Sequence, residues 1–190
     1  MTVHHRTEHA MKPIPSHRGP LPATARTAAS SSEFSRIASR GDFHAAVRQA
    51  IAQAADTGCR ELWWADADFA DWPIGEPEVV ENLRRWARPH RKLVLLAQGF
   101  DALARRHPRW VDFRRAWSHV VECRSIDELD AGTMPSVLLA SGLLVLRVAD
   151  PVHWRGNVSR EAAAMVQTRE MLVSMAQRST LAFPSTVLGV

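Results

Sequence analysis

Short apolar runs alternate with amphipathic stretches along this chain, and few fold classes are compatible with that order. The run at 60–65 predicts a buried strand, and the run at 92–97 is continuously apolar, as in strands buried on both faces of a sheet. Apolar residues at spacings of three and four predict helices before and after these runs. The alternation favours an α/β sandwich with a mostly parallel sheet.

The predicted helices have recognisable start and stop signals. Asp42 is a good N-cap for a helix from Phe43 to Asp56, and Gly58 supplies its stop. Pro77 can open a second helix without losing a hydrogen bond. The remaining predicted elements are a helical segment over 100–117 interrupted near Pro108, a strand over 120–126, and a last helix that Ser159 caps and that ends near Arg178.

A hairpin is predicted near the C-terminal end of the sheet. Two apolar runs, Pro135–Ala140 and Leu143–Val148, are joined by Ser141-Gly142, which is a hairpin signal. The predicted fold class is therefore α/β, with a mostly parallel sheet, a C-terminal hairpin and helices on both faces. Neighbouring side chains of a strand point to opposite faces, so one of Trp63 and Trp64 should enter the core. The other should lie under a helix or at a partner surface.

The 190 residues suit one domain with tails. We predict a disordered basic tail over 1–33, a single α/β domain over 34–180 and a C-terminal tail over 181–190. The net charge of +4 comes from the first 40 residues, so the pI near 10 does not make the folded part a nucleic-acid binder. The tail contains His4, His5, His9 and His17, which suit either a metal-binding tail or a flexible segment with incidental histidines.

Several function classes lack their sequence signals. Cys59 and Cys123 are too few for a disulfide framework or a zinc site. No apolar run approaches the roughly 18 residues of a membrane span, and the N-terminus lacks the apolar core of a secretion signal, so we predict a cytoplasmic protein. Nucleotide and hydrolase fingerprints are absent, and we predict no cofactor. His153 could pair with Asp150, but no Ser or Cys nucleophile is placed beside them.

Charge is strongly divided between 61 and 115. The first part, over 61–81, contains seven acids and no Lys or Arg. The second part, over 84–115, contains ten bases and only two acids. This separation of charge indicates either a functional site or a surface exposed to solvent.

The acidic part contains a candidate metal or phosphate site. Asp66 and Asp68 form an Asp-x-Asp pair directly after the first predicted strand, with Asp71 close by. Carboxylates at the C-terminal end of a parallel strand lie where α/β sheets bind ligands, and they could hold Mg²⁺. Asp also suits turns and helix caps, which is the structural alternative that we favour.

The basic part contains a candidate nucleic-acid surface. Its arginines interleave with Trp86, Trp110 and Trp117, and arginine with aromatic residues can bind a nucleic-acid backbone and its bases. The alternative, which we favour, is that the tryptophans face the core and the arginines face solvent. A protein partner with an acidic patch fits as well as nucleic acid. The candidate binding arginines are Arg84, Arg85, Arg88, Arg105, Arg106 and Arg109.

The order of strand, acidic loop, helix, strand, Arg-rich helices, strand, hairpin and helix resembles one half of the phospholipase D-like fold, over about 42–178. More closely, Leu62–Asp71 with Glu76–Arg88 and Leu93–Ala97 resembles an uncharacterised bacterial domain of this fold, often appended to GNAT-type acetyltransferases. Such halves usually pair, so the resemblance implies a homodimer.

The resemblance also implies where catalytic residues should lie. Active phospholipase D-like enzymes carry His-x-Lys-x4-Asp on the hairpin, with the histidine as nucleophile. The matching positions here are Met134, Ser136 and Ser141, and none can perform the family's chemistry. We therefore predict a non-catalytic domain that acts by protein binding or oligomerisation. The alternatives are a metal-dependent phosphate-ester enzyme using Asp66, Asp68 and Asp71, and nucleic-acid binding by the arginines.

Overall fold

The computed structural model describes residues 1–2, 34–126 and 134–184. Most of the predicted N-terminal tail and the end of the predicted C-terminal tail lie outside these residues. The elements all belong to a compact unit, Ser32–Val190. They are β1 (Phe34–Ile37), α1 (Arg40–Thr57), β2 (Glu61–Ala65), a 3-10 turn (Pro73–Gly75), α2 (Pro77–Trp86), β3 (Lys92–Ala97), α3 (Asp101–Arg106), α4 (Pro108–Ala116), β4 (Val121–Ser125), β5 (Ser136–Ala140), β6 (Leu144–Asp150), β7 (Arg155–Ser159), α5 (Ala162–Gln177) and β8 (Thr180–Leu181).

The sheet is mixed and mostly antiparallel, so the prediction of a mostly parallel sheet is wrong. Its strand order is β1-β7-β6-β5-β2-β3-β4-β8. Among the described strands, only β2 with β3 and β3 with β4 are parallel, because helices cross over between them. Short turns join β5 to β6 and β6 to β7, and these neighbours pair antiparallel. The pairing of β5 with β2 is also antiparallel. The sequence pattern missed β1, β7 and β8, which are short and partly polar.

The predicted hairpin is present as β5 and β6, which pair in antiparallel register from Ser136 opposite Val148 to Ala140 opposite Leu144. Its turn spans 141–143, one residue longer than predicted. All five residues of β5 are buried, because β5 lies in the middle of the sheet between β6 and β2. The hairpin therefore continues the sheet instead of projecting from it.

Helices cover both faces of the sheet, as predicted. On one face, α1, α2, α3 and α4 pack on a core that includes Trp64, which is fully buried. On the other face, α5 packs through Leu172 against Trp63, Val94 and Leu139. Trp63 therefore lies under a helix, and the two neighbouring tryptophans point to opposite faces.

Two predicted helix starts are shifted. The N-cap of α1 is Ser39, whose hydroxyl accepts from the Asp42 N–H, and Asp42 lies in the first turn. The N-cap of α5 is Glu161, because Ser159 belongs to β7, where it pairs with Val145 of β6. The predicted stop at Gly58 is correct, since Gly58 has a φ of 73° and caps α1 in the left-handed conformation. No helix in the described part of the chain has the length and hydrophobicity of a membrane span.

Candidate functional site

The three predicted aspartates line one cavity at the end of the sheet where β2 stops and β5 begins. This cavity has a volume of about 210 Å³ and is called here the hairpin-end cavity. The hairpin contributes Met134 and Ser136 to the same cavity. Its lining consists of Asp66, Ala67, Asp68, Asp71, Trp72, Met134, Ser136, Pro151 and Trp154.

The acidic loop is shaped by its own carboxylates. One oxygen of Asp66 accepts from the backbone N–H groups of Asp68 (3.2 Å) and Phe69 (2.9 Å). One oxygen of Asp68 accepts from the Ala70 N–H at 2.8 Å. Side chains of Asp commonly satisfy backbone groups in turns in this way. Asp66 and Asp68 therefore hold the loop, and each retains a second oxygen for other contacts.

A buried histidine attaches the loop to the helices. The His107 side chain is 9% exposed, and its Nε2 donates to the Phe69 carbonyl oxygen at 3.0 Å. Phe69 itself is fully buried and has a φ of 57°. Burial lowers the pKa of His107 below its usual 6.5, although the hydrogen bond to Phe69 acts in the opposite direction. His107 is therefore held neutral while it supports the acidic loop.

We expect His107 to make stability fall on mild acidification. Because its pKa is lowered in the folded state, the unfolded chain binds a proton that the folded chain does not bind below about pH 6.5. The contribution is complete above that pH and is lost as the pH falls towards the folded-state pKa. Urea unfolding of wild type between about pH 7 and about pH 5.5 should show a decreasing free energy of unfolding.

The control for this prediction is His107→Gln, which can still donate to Phe69 but does not titrate. Its free energy of unfolding should vary less over the same pH range. The pKa values of Glu122 and Asp150 are also lowered, but from ordinary values of 4.5 and 3.8, so these carboxyls titrate below this range. An equal slope in wild type and variant would contradict the assignment.

The hairpin-end cavity already contacts a guanidinium of the same chain. Arg40 Nη2 lies 2.7 Å from an Asp71 oxygen, and the Arg40 guanidinium carbon lies 5.9 Å from the Trp154 ring centroid. Arg106 Nη1 lies 3.5 Å from the same Asp71 oxygen. In contrast, Asp66 and Asp68 have no ion-pair partner in the described segments. The cavity wall is therefore negative, and a tryptophan face lies beside Asp71.

The predicted arginines do not form one surface with the acids. Arg84 pairs with Glu81, and Arg85 pairs with Asp56. The only contact between the two charge blocks at this loop is that of Arg106 with Asp71. The remaining three candidates, which are exposed and have no carboxylate partner among the described residues, are Arg88, Arg105 and Arg109. Trp86 and Trp110 are fully buried, so they do not interleave with these arginines at the surface.

Two other sequence candidates behave differently. His153 Nδ1 lies 2.8 Å from Asp150, and the His153 N–H donates to the same carboxylate, which lowers the pKa of Asp150. This pair belongs to an exposed turn.

Across residues 34–126 and 134–184, no three His, Cys, Asp or Glu side chains form a group that could hold a metal ion. The metal interpretation of Asp66 and Asp68 gains no support.

Sequence reasoning missed Trp154, which lines the cavity, and Arg40, which contacts Asp71 and Trp154 without being part of the lining. Arg40 opens α1, and Trp154 lies in the turn between β6 and β7 with a φ of 54°. Neither position belongs to a motif, and only the fold brings them to Asp71. No signal in the sequence could have found them.

The chain matches no protein-family model and none of the curated proteins. Among solved structures, TrmBL2, an archaeal chromatin protein described with a novel mode of DNA binding, is similar with a TM-score of 0.59 at 12% identity. That match covers 83% of this chain and 57% of TrmBL2. At 12% identity, this similarity shows only that the two proteins share a fold.

Solved structures similar to this chain also include phospholipase D family members. Nuc from Salmonella typhimurium has a TM-score of 0.47 at 8% identity, over 72% of this chain and 91% of Nuc. NucT from Helicobacter pylori has a TM-score of 0.49 at 8% identity, over 79% of this chain and 99% of NucT.

Proposed function

We propose that this chain is a non-catalytic domain of phospholipase D-like architecture that binds a protein, and that the hairpin-end cavity receives an Arg or Lys side chain of that partner. The observation that supports this proposal is the position of Arg40. Its guanidinium contacts Asp71 and the face of Trp154, so the cavity wall already recognises a cation of this kind.

The charge of the cavity favours a cation over a phosphate ester. Asp66, Asp68 and Asp71 line it, and among its lining residues there is no Lys, Arg or His. A phosphodiester would be repelled by these carboxylates, whereas the phospholipase D-like reaction needs positive charge around the phosphate. Met134 and Ser136 lie in this cavity at the positions where the resemblance places the nucleophile and the lysine. Neither residue supplies that nitrogen or that charge.

The room that remains in the cavity suits one side chain. Its volume of about 210 Å³ is small, and Asp66 and Asp68 are available to a second cation because no base pairs with them in the described residues. A homodimer, which the resemblance implies, would be one source of that cation. The chain exposes Arg88, Arg105 and Arg109 without carboxylate partners among the described residues.

Calorimetric titration with N-acetyl-arginine amide, and then with a short arginine-rich peptide, tests this proposal. We expect saturable binding to wild type. Asp68→Asn should weaken binding by about tenfold, because it removes a cavity charge but keeps the oxygen that accepts from Ala70. Arg40→Ala should strengthen binding, because it frees Asp71 and Trp154.

The matched control is Asp112→Asn, which removes an exposed carboxylate on α4 that pairs only with Arg115 among the described residues. This variant should bind like wild type. The proposal fails if neither probe binds at millimolar concentration, or if Asp68→Asn and Asp112→Asn have equal affinities. Hydrolysis of bis(p-nitrophenyl) phosphate that Ser136→Ala abolishes would contradict the non-catalytic part.

Nucleic-acid binding is a second candidate, supported by the exposed Arg88, Arg105 and Arg109 and by the DNA binding described for TrmBL2. Internal pairing reduces the free positive charge of this surface, since Arg84, Arg85, Arg106 and Arg115 have carboxylate partners. A DNA duplex in the same titration distinguishes the two candidates. Binding that weakens steeply with salt and is lost in the Arg105→Ala, Arg109→Ala double variant would favour this candidate over protein binding.

A further inference from the structure

Three arginines lie together on the face of the sheet that carries α5. Arg36 of β1 and Arg147 of β6 are each the register partner of Asn157, which lies between them on β7. Arg147 Nη2 donates to the Thr168 hydroxyl of α5 at 3.1 Å, which places this row of side chains on the α5 side. Arg155 precedes Asn157 by two positions on β7 and therefore points to the same face. These three arginines and Asn157 are called here the basic patch.

The basic patch is open to solvent. The apolar cluster under α5 contains residues of β2, β3, β5 and β6, but none of the described residues of β7 or β1. Arg36, Arg147 and Arg155 are all exposed, and Asn157 is half-buried. A ligand can therefore reach all three guanidinium groups from the same side of the sheet.

The positive charge of the patch is not balanced by the described residues. Neighbouring strands lie about 4.8 Å apart, and diagonal neighbours about 7–8 Å, so Arg155 is close enough to Arg36 and Arg147 for their charges to repel. None of the three has a carboxylate partner in the described part of the chain. Asp150, the register partner of Arg155, contacts His153 at 2.8 Å instead. The patch therefore keeps its charge for an external anion.

The patch adjoins an open edge of the sheet. β1 is at the end of the strand order, and among the described strands it pairs only with β7. An edge strand presents a row of backbone N–H and C=O groups without partners. A charged residue on an edge strand can protect it from pairing, but Arg147 and Arg155 lie on the inner strands β6 and β7. Edge protection therefore does not account for the patch.

The part of the chain that precedes β1 does not complement this charge. Residues 1–33 contain four bases and two acids, which are Arg6, Lys12, Arg18, Arg26, Glu8 and Glu33. An occupant that is both acidic and able to pair with a strand must therefore come from outside this segment.

We propose that an acidic, extended segment of a partner protein adds to the sheet along β1, with its carboxylates on Arg36 and Arg155. A peptide supplies both donors and acceptors for the free edge of β1, which a sugar–phosphate backbone does not. Alternate side chains of an added strand face the patch, so the segment carries acids at every second position. Arg36 lies directly beside such a strand, and Arg155 is reached across β1. This surface is separate from the hairpin-end cavity and does not depend on the function proposed for it.

The test is a titration of the full chain into a fluorescently labelled, blocked hexapeptide of alternating Glu and Thr, followed by anisotropy. We expect saturable binding that weakens as salt screens the charges. Arg36→Gln and Arg155→Gln should each weaken binding by about threefold to fivefold, as for an exposed ion pair, and together by about tenfold. The matched control is Arg160→Gln, which should bind like wild type. Arg160 follows β7 but contacts Gln53 of α1, on the other face of the sheet.

Hydrogen exchange separates strand addition from simple charge attraction. The peptide should slow exchange at the amides of β1, since an added strand protects them. The proposal is overturned if the peptide does not bind at millimolar concentration, if Arg36→Gln and Arg160→Gln bind equally, or if a Gln and Thr hexapeptide binds as well as the acidic one. Tighter binding of oligothymidylate, without protection of β1, would assign the patch to nucleic acid and also overturn it. Asp68→Asn should leave peptide binding unchanged, so failure here is distinguishable from failure at the hairpin-end cavity.

Discussion

Trp86→Ala is expected to lower the free energy of unfolding by about 3–5 kcal/mol, a large part of the stability of a domain of this size. Trp86 is fully buried on α2 and packs into the core between the helices and the sheet. Its Nε1 also donates to the Cys59 carbonyl oxygen at 2.7 Å, which joins α2 to the segment before β2. The substitution removes both the apolar contact and this hydrogen bond. Urea unfolding followed by circular dichroism measures the loss.

A matched pair of variants separates the two contributions. Trp64 is as completely buried as Trp86, but its Nε1 has no hydrogen-bond partner. Trp86→Phe should therefore lower the free energy of unfolding by about 1–3 kcal/mol more than Trp64→Phe does. Only the Trp86 variant loses a hydrogen bond, which leaves the buried Cys59 carbonyl oxygen without its donor. Equal losses in the two phenylalanine variants would show that the hydrogen bond to Cys59 contributes nothing.

Gly156→Ala is expected to disrupt the edge of the sheet. Gly156 lies in β7 between Val148 of β6 and Ile37 of β1. A Cβ atom at this position would lie 2.3 Å from the Arg147 carbonyl oxygen, which belongs to the backbone and cannot rotate away. Forcing the strands apart should cost about 1–3 kcal/mol, the usual range for overpacking. Hydrogen exchange should become faster at the amides of β7 and β1.

The control for this substitution is Gly99→Ala, where an added Cβ meets no atom within 4 Å. This variant should unfold like wild type. If Gly156→Ala were equally stable, the close approach of β6 and β7 would not be a feature of the folded state. Because Trp154 lies in the turn just before β7, the same variant should also weaken binding of the arginine probe at the hairpin-end cavity.

Much of the local structure could be predicted from the sequence. The apolar run at 92–97, the helix start at Pro77 and the hairpin around 141–142 all depend on neighbours in the sequence, and the structure contains each of them. Strand direction could not be predicted in the same way. It depends on the path between strands, and β7 has too few apolar residues to be recognised before its neighbours are known.

The candidate sites could likewise be predicted in part from the sequence and in part only from the fold. The sequence identified Asp66, Asp68 and Asp71 by their position after a buried strand, and these three residues do line one cavity. It gave no sign that Trp154 lines this cavity or that Arg40 contacts Asp71. It placed Arg114 among solvated arginines, whereas the structure buries Arg114 and leaves two of its nitrogens without partners.

By itself, the sequence determined the order of the elements from α1 to β6, the placement of Trp63 and Trp64 on opposite faces of the sheet, and the separation of acidic from basic residues. Only the tertiary structure decided that the sheet is mostly antiparallel, that Arg106 contacts Asp71 of the acidic loop, and that Arg40 contacts both Asp71 and Trp154. The physical reason is range. Periodicity and capping act between residues a few positions apart, whereas cavities and buried charges arise between segments that only folding brings together.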